Sequence, residues 1–307
     1  MALVFDTSVA KAKPDDNRRP SGYCPFCDTE ALENILAREG ERIWLMNKFR
    51  TLRDTTQTVL IESSEHEGDI PTYAPEQWRD VLGFALRCWH EMSAAGEHTS
   101  VLLYKNAGPI SGGSLRHPHM QIVGLAHEDG YTEVSATNLT GPAVHREDKV
   151  EVCVSDEPLM GFFEVNVAAD AKVLALELGA RARVCGEARG GTQATSGASG
   201  TKAAVGAPFA GGADGSAAGG SISTPTLDAF ARCIQGTVRY LLEQHHGGTC
   251  TSYNLFFYPP SVQAGKVVCK VVPRWITSAY FIGYKIAQVN APERMASDAA
   301  ELRAYLA

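Results

Sequence analysis

Arg116-His117-Pro118-His119-Met120-Gln121 follows a turn built of Ser111-Gly112-Gly113-Ser114. In an extended segment, residues two apart share a face. Two imidazoles and an amide would then project together beside a glycine-rich loop. A neutral imidazole is a competent nucleophile toward phosphorus near neutral pH, since its unperturbed pKa is about 6.5. Attack by His119 on an α-phosphate would give a covalent nucleotidyl-histidine and divide one transfer into two steps. The ring needs its other nitrogen pinned, which a backbone carbonyl of the tight His-Pro-His segment could do. Gln121 could hold a non-bridging phosphate oxygen. The backbone N–H groups of Gly112, Gly113 and Ser114 could cradle the charge. The same residue types also suit a His-x-His metal pair, or an ordinary half-buried strand after a loop.

Cys24-Pro25-Phe26-Cys27 is a second chemical feature. Thiolates at C-x-x-C spacing can occupy two corners of a tetrahedral zinc, and a thioredoxin-type redox pair is the competing reading. The redox motif normally sits between a strand and a long helix, whereas here an irregular, charged segment precedes the pair. There is no second C-x-x-C. The remaining zinc ligands would therefore come from elsewhere, with His66 and His117 as candidates.

The elements that must carry these groups recur in a similar order on two sides of the chain. On the first side, strand-like runs at Arg42–Met46 and Thr58–Glu62 precede a helix opened by Pro75. Its apolar stripe is Trp78, Val81, Leu82, Ala85, Trp89 and Met92. Strands at Ser100–Tyr104 and Pro118–Leu125 follow. On the second side, strand-like runs at Val150–Val154, Gly161–Val167 and Val173–Leu178 precede a helix capped by Thr224, with Pro225 in its first turn. Leu227, Phe230, Ala231, Ile234, Val238, Leu241 and Leu242 form its stripe, and Gly247-Gly248 ends it. Strands at Ser252–Tyr258 and Lys266–Val272 follow. The expected fold class is α+β, with two halves sharing one mainly antiparallel sheet under packed helices. The halves divide at 1–130 and 131–307. Within the second half, Gly186–Ser221 is almost entirely Gly, Ala, Ser and Thr. It cannot bury enough surface to offset its ordering entropy and reads as a disordered loop insertion.

A chain of 307 residues with 44% hydrophobic residues can build a sizeable core. Its net charge of −7 and lack of a basic run argue against nucleic acid as the main partner. No window reads as a membrane span and the N-terminus does not resemble a secretory signal, so the expected location is cytoplasmic. Cys88, Cys153, Cys185, Cys233, Cys250 and Cys269 stand singly, mostly in apolar surroundings, and read as buried free thiols.

Taken together, Cys24-Pro-Phe-Cys27, Asn47-Lys48-Phe49, Ser64-Glu65-His66, Asn106-Ala-Gly108, Gly113-Ser114 and His117-Pro118-His119-Met120-Gln121 resemble the galactose-1-phosphate uridylyltransferase-like branch of the histidine-triad superfamily. The resemblance covers Tyr23–Leu125 well and the remainder loosely. It implies two histidine-triad-like halves, often assembled as a homodimer. It implies a structural zinc held by Cys24, Cys27, His66 and His117, and a nucleophile at His119. Gln121, Asn106 and Ser114 match phosphate contacts, Gly113 belongs to the same loop, and Asn47 lies on the segment lining the nucleoside pocket. The implied activity is nucleotidyl transfer from a nucleotide sugar or dinucleoside polyphosphate to a phosphorylated small-molecule acceptor or inorganic phosphate. The rivals are a phosphorylase or hydrolase of the same superfamily and a zinc-stabilised nucleotide-binding protein without turnover. This chain departs from the family in several places. Met120 replaces a small residue and is expected to point away from the phosphates. Lys48 stands where the transferases carry an acid near the nucleoside. Lys285 falls where a galactose-binding acid is expected, and with Arg274 and Lys270 it could form an anion site.

Overall fold

The computed structural model describes residues 3–13, 22–160, 163–187, 223–275 and 291–307. Ten strands form one sheet in the order β1-β2-β3-β5-β4-β9-β10-β8-β7-β6, and every neighbouring pair is antiparallel. The strands are β1 Ile35–Glu39, β2 Arg42–Met46, β3 Thr55–Ile61, β4 Ser100–Ala107, β5 His119–Leu125, β6 Ala143–Glu147, β7 Val150–Val154, β8 Val165–Asp170, β9 Ser252–Tyr258 and β10 Lys266–Arg274. The first five lie in the order 1-2-3-5-4. Read from the far edge, the second five repeat it as 6-7-8-10-9. The two sets join where β4 pairs β9, with Asn106 opposite Asn254.

Helices cover one face of this sheet. A short α1 (Thr7–Ala12) lies outside the core, while α2 (Pro75–Ala94), α3 (Ala171–Glu187), α4 (Pro225–Glu243) and α5 (Pro292–Leu306) pack on the sheet or on one another. The stripe expected on α2 is buried. On α4 all of the expected residues are buried except Leu242, which packs against the core from a partly buried position. Trp78 Nε1 donates to the Ala231 carbonyl at 3.0 Å, tying the two long helices together. Strand residues Leu60, Leu103, Met120, Ile122, Val167, Leu255 and Val271 share this core. Their neighbours in sequence face the other way. Met120 therefore points into the helix-side core, as its length suggested.

Several expectations need correction. Val173–Leu178 is part of α3, not a strand. Its Ala, Leu, Glu and Arg residues are good helix formers, and Asp170 Oδ1 accepts from the Lys172 and Val173 amides at 3.0 and 3.1 Å, capping the helix start. Thr224 occupies the first position before α4 but makes no side-chain cap. The carboxylate of Glu177 on α3 takes that role, accepting from the Thr226 and Leu227 amides at 3.1 and 2.8 Å. The expected insertion at 186–221 lies almost wholly outside the described residues. Cys88, Cys153, Cys233, Cys250 and Cys269 are buried free thiols as expected, and the side chain of Cys185 lies outside the described set. Strands β1 and β6 and helices α1 and α5 carry too weak a periodic signal to stand out in the sequence.

Lys270 also differs from expectation. It is fully buried, with Nζ 2.8 Å from Glu164 Oε2 and 3.1 Å from Ser155 Oγ. Burial pulls its pKa down, and the Glu164 charge opposes that shift. A cation neutralised in this way is a structural pair and cannot serve an anion site. Removing one partner of a buried pair leaves the other uncompensated, at a cost of about 3–5 kcal/mol. Lys270→Ala is therefore expected to lower the urea midpoint by that equivalent; a loss below about 1 kcal/mol would show that the pair does not neutralise Glu164.

Candidate active site

The face opposite the helices is covered at two places. On the outer side of the first half, Ile43, Leu45, Val59 and Ile61 pack with Phe26, Leu32 and Ile35 from the N-terminal segment. On the second half, Ala168, Tyr258 and Val268 pack with Tyr131, Val134 and Leu139. Between these covers the central strands present polar groups. His119 and Gln121 come from β5, Tyr104 and Asn106 from β4, and Asn254 from β9.

His119 opens β5 opposite Ile61 of β3 and is 7% exposed. Its Nδ1 lies 2.8 Å from the His117 carbonyl oxygen. A carbonyl only accepts, so Nδ1 carries the proton and Nε2 keeps the lone pair. Burial pulls the ring's pKa down to about 4, opposed in part by that hydrogen bond and reinforced by the Lys105 charge. The imidazole is consequently neutral near pH 7. The Phe26 ring stands edge-on to it at 5.4 Å.

Gln121 lies opposite Tyr104, whose hydroxyl donates to Gln121 Oε1 at 3.1 Å. That assignment leaves the two N–H donors of the amide for other partners. Asn106 and Asn254 meet across the junction of the halves. Asn254 Nδ2 donates to Asn106 Oδ1 at 2.6 Å and to the Ser111 carbonyl at 2.9 Å. The second half thereby holds the glycine-rich loop of the first. Gly108, at φ +86°, passes so close to β9 that a Cβ there would lie 2.3 Å from the Thr251 carbonyl oxygen. Gly113 rests against the Asn106 backbone, and its amide donates to Ser111 Oγ at 3.3 Å. Ser114 Oγ is buried with no hydrogen-bond partner among the described residues. His119, His117, Arg116, Asn106, Gly108 and Lys105 line one cleft of about 180 Å³.

Asn47 is not brought to this point. It follows β2, where Met46 pairs Thr58, and its Oδ1 accepts from the Phe49 amide at 2.9 Å. The row shared with His119 runs through Ile61 to Ile43, four residues back along the strand. At about 3.4 Å per residue this places Asn47 about 14 Å along the sheet. Phe281–Tyr284 and Lys285 lie outside the described residues.

Cys24, Cys27, His66 and His117 converge, with all four ligand atoms within 4.8 Å of one another. Cys27 Sγ is 3.4 Å from both His66 Nδ1 and His117 Nδ1, and Cys24 Sγ is 3.6 Å from His117 Nδ1. His117 is fully buried, and its Nε2 donates to the Ser63 carbonyl at 2.9 Å. That leaves Nδ1 as the lone-pair nitrogen facing both sulfurs.

Beneath the cleft lies a network absent from the sequence reading. Lys105 Nζ contacts Glu62 Oε1 at 2.5 Å and Asp69 Oδ1 at 3.0 Å. Tyr73 donates to Glu62 at 3.2 Å and Tyr253 to Asp69 at 2.9 Å. Burial alone would lower the Lys105 pKa, but Asp69 and Glu62 raise it, so the ammonium stays charged. The signal was present in a weak form: Lys105 and Asn254 are polar residues inside otherwise apolar strands. Tyr104 had no such signal, because its link to Gln121 depends on register.

The N-terminal domain of DUF4931, a domain of unknown function, matches residues 5–128, and the C-terminal domain of DUF4931 matches residues 221–304. Among curated proteins, none matches the chain in sequence. A solved structure described as a uridylyltransferase shares the fold at 13% identity and a TM-score of 0.60, over 94% of this chain and 92% of the other. An ADP-glucose phosphorylase from Arabidopsis thaliana, solved with bound ADP-glucose, does so at 13% identity and a TM-score of 0.59, over 98% of each. The fold is thus that of the galactose-1-phosphate uridylyltransferase-like branch. A DUF4931 family protein from Bacillus cereus is 36% identical over 88% of this chain and 98% of its own, with a TM-score of 0.63. The chain belongs to the DUF4931 family.

Proposed function

We propose that the protein is a nucleotidyltransferase that carries a nucleoside monophosphate on His119. The observation that carries this reading is the pinned imidazole, with Nδ1 held by the His117 carbonyl at 2.8 Å in a cleft beside a glycine-rich loop. In the first step the Nε2 lone pair attacks the α-phosphorus of a nucleoside diphosphate derivative. A P–N bond forms, and the P–O bond to the β-phosphate breaks with its electron pair on the leaving phosphate. In the second step an acceptor phosphate oxygen attacks the same phosphorus, and the P–N bond returns its electrons to Nε2. The imidazole is cationic while it carries the nucleotide, and the His117 carbonyl stabilises that charge through Nδ1–H. Gln121, oriented by Tyr104, offers N–H donors to a phosphate oxygen. Asn106, Ser114 and the Gly113 loop would contact the remaining oxygens. Asn47 would contribute to the nucleoside end. The donor would be a nucleotide sugar or a dinucleoside polyphosphate, and the acceptor a phosphorylated small molecule or inorganic phosphate.

Cys24, Cys27, His66 and His117 fit a structural zinc. A tetrahedral site with Zn–S near 2.3 Å and Zn–N near 2.0 Å has S···N edges of about 3.5 Å, which three of the four sulfur–nitrogen pairs already meet at 3.4–3.6 Å. When bound, the ion supplies a rigid anchor for the His-Pro-His segment. The Ser63 carbonyl behind His117 sets that ring's tautomer, as outer hydrogen bonds do for ligating histidines.

Two outcomes test the reading. Incubation with the productive labelled nucleotide is expected to trap an acid-labile adduct of one nucleoside monophosphate, seen in the mass of the intact protein. His119→Ala should abolish the adduct and lower transfer by at least about 10³-fold; a variant that keeps full activity would sink the mechanism. The Cys24→Ser/Cys27→Ser double variant should contain one zinc fewer per chain by elemental analysis and melt at a lower temperature. Unchanged metal content would remove the zinc from this cluster.

A further inference from the structure

The turn after α4 and helix α5 bring together His245, His246 and Asp298, none of which the cleft uses. One ligand atom from each lies within 4.8 Å of the other two. His245 and Asp298 are 0% and 1% exposed. His245 Nε2 and Asp298 Oδ2 face each other at 3.9 Å, and neither makes a hydrogen bond among the described residues. That separation exceeds hydrogen-bond range. A buried imidazole nitrogen thus faces a buried carboxylate oxygen with nothing bridging them, while Arg294 reaches only the other oxygen at 3.5 Å; folded proteins rarely leave two such buried polar atoms unanswered. His246 adopts φ +49° and ψ 37°, a left-handed conformation uncommon outside glycine, and its ring centroid lies 4.3 Å from that of His245.

We propose that His245, His246 and Asp298 form a second metal site, taking a divalent first-row transition ion through three protein ligands. Two imidazoles and one carboxylate, without thiolate, suit zinc, cobalt or nickel. With metal–ligand distances of about 2.0–2.2 Å, an ion spans the 3.9 Å gap at an angle near 140°. The surroundings prepare the ligands. His245 Nδ1 lies 3.3 Å from the Tyr240 hydroxyl, which is itself 3.3 Å from Glu301 Oε2. A relay from Nδ1–H through Tyr240 to Glu301 leaves Nε2 free for the ion. Arg294 now supplies positive charge from the solvent side, with Nη2 3.1 Å from His246 Nδ1 and 3.5 Å from Asp298 Oδ1. Its side chain is 53% exposed, so an arriving ion can displace it into water. His246 itself is exposed, and the Trp275 ring lies 5.1 Å from both imidazoles. The bound ion would clamp α5 to the end of α4.

The test is a Co²⁺ titration of the full-length, zinc-loaded protein, followed by visible absorption and elemental analysis. One Co²⁺ per chain is expected to bind beyond the resident zinc, giving d–d bands without the thiolate charge-transfer band that would mark Cys24 and Cys27. His246→Gln and Asp298→Asn should each weaken this binding by at least about 10-fold. Arg294→Gln should tighten it, which a purely structural role for the cluster would not do. His246 is exposed, so its variant decides the matter if Asp298→Asn does not fold. No additional Co²⁺ in the wild type, unchanged affinity in His246→Gln, or binding only with the charge-transfer band would overturn the site.

Discussion

One buried residue, His117, ties the two chemical features of the first half to each other. Its Nε2 is anchored on the Ser63 carbonyl, its Nδ1 faces the two sulfurs, and its own carbonyl holds His119 Nδ1. Ring and backbone of a single residue thus couple the Cys-Cys-His-His cluster to the tautomer of the neighbouring imidazole. A shift of the His117 backbone would at once misplace a cluster ligand and loosen the carbonyl that holds His119 Nδ1. Proline at 118 limits that freedom further, since it fixes its own φ and restricts the residue before it. His119 sits at the first residue of a strand, where the sheet register holds the backbone and the cleft opens beside it.

The repeated strand order explains why the cleft lies in the middle of the sheet. Each set of five strands ends with its hairpin partner on the inside, so β4 and β9 meet there. Helices occupy one face throughout. On the other, apolar patches cover the two outer parts and leave the central strip to Gln121, Tyr104, Asn106 and Asn254. The second set of strands contributes Asn254, which holds the Ser111 carbonyl, and the Thr251–Ser252 backbone, against which Gly108 must pack. The second half therefore shapes the glycine-rich loop, and among the described residues it brings no histidine to it.

Buried charge serves each half differently. Lys105, on the helix-facing side of β4, is matched by Glu62 and Asp69 and stiffens the floor of the cleft. Lys270, on the opposite side of β10, is matched by Glu164, which also accepts from the Leu159 and Met160 amides at 2.9 and 2.6 Å. A lysine inside a sheet is tolerated in both places because the carboxylate and the hydrogen bonds arrive with it.

Local sequence marked the residues whose types and spacing suit chemistry. C-x-x-C spacing, alternating imidazoles on a short extended segment and glycines at the turn are properties of neighbouring residues, and period-3.6 stripes marked α2 and α4 before any packing was known. The run at Val173–Leu178 misled for the same reason: its local apolar density suits a strand or a helix, and the Asp170 cap together with its helix-forming composition decided for helix. What sequence could not contain was distance between segments. Whether His66 reaches His117, whether Tyr104 orients Gln121, whether Lys270 meets a substrate or Glu164, and whether Asp298 meets two histidines more than fifty residues away all depend on strand register and helix docking. Those are cooperative results of burying one continuous core, and only the folded chain expresses them.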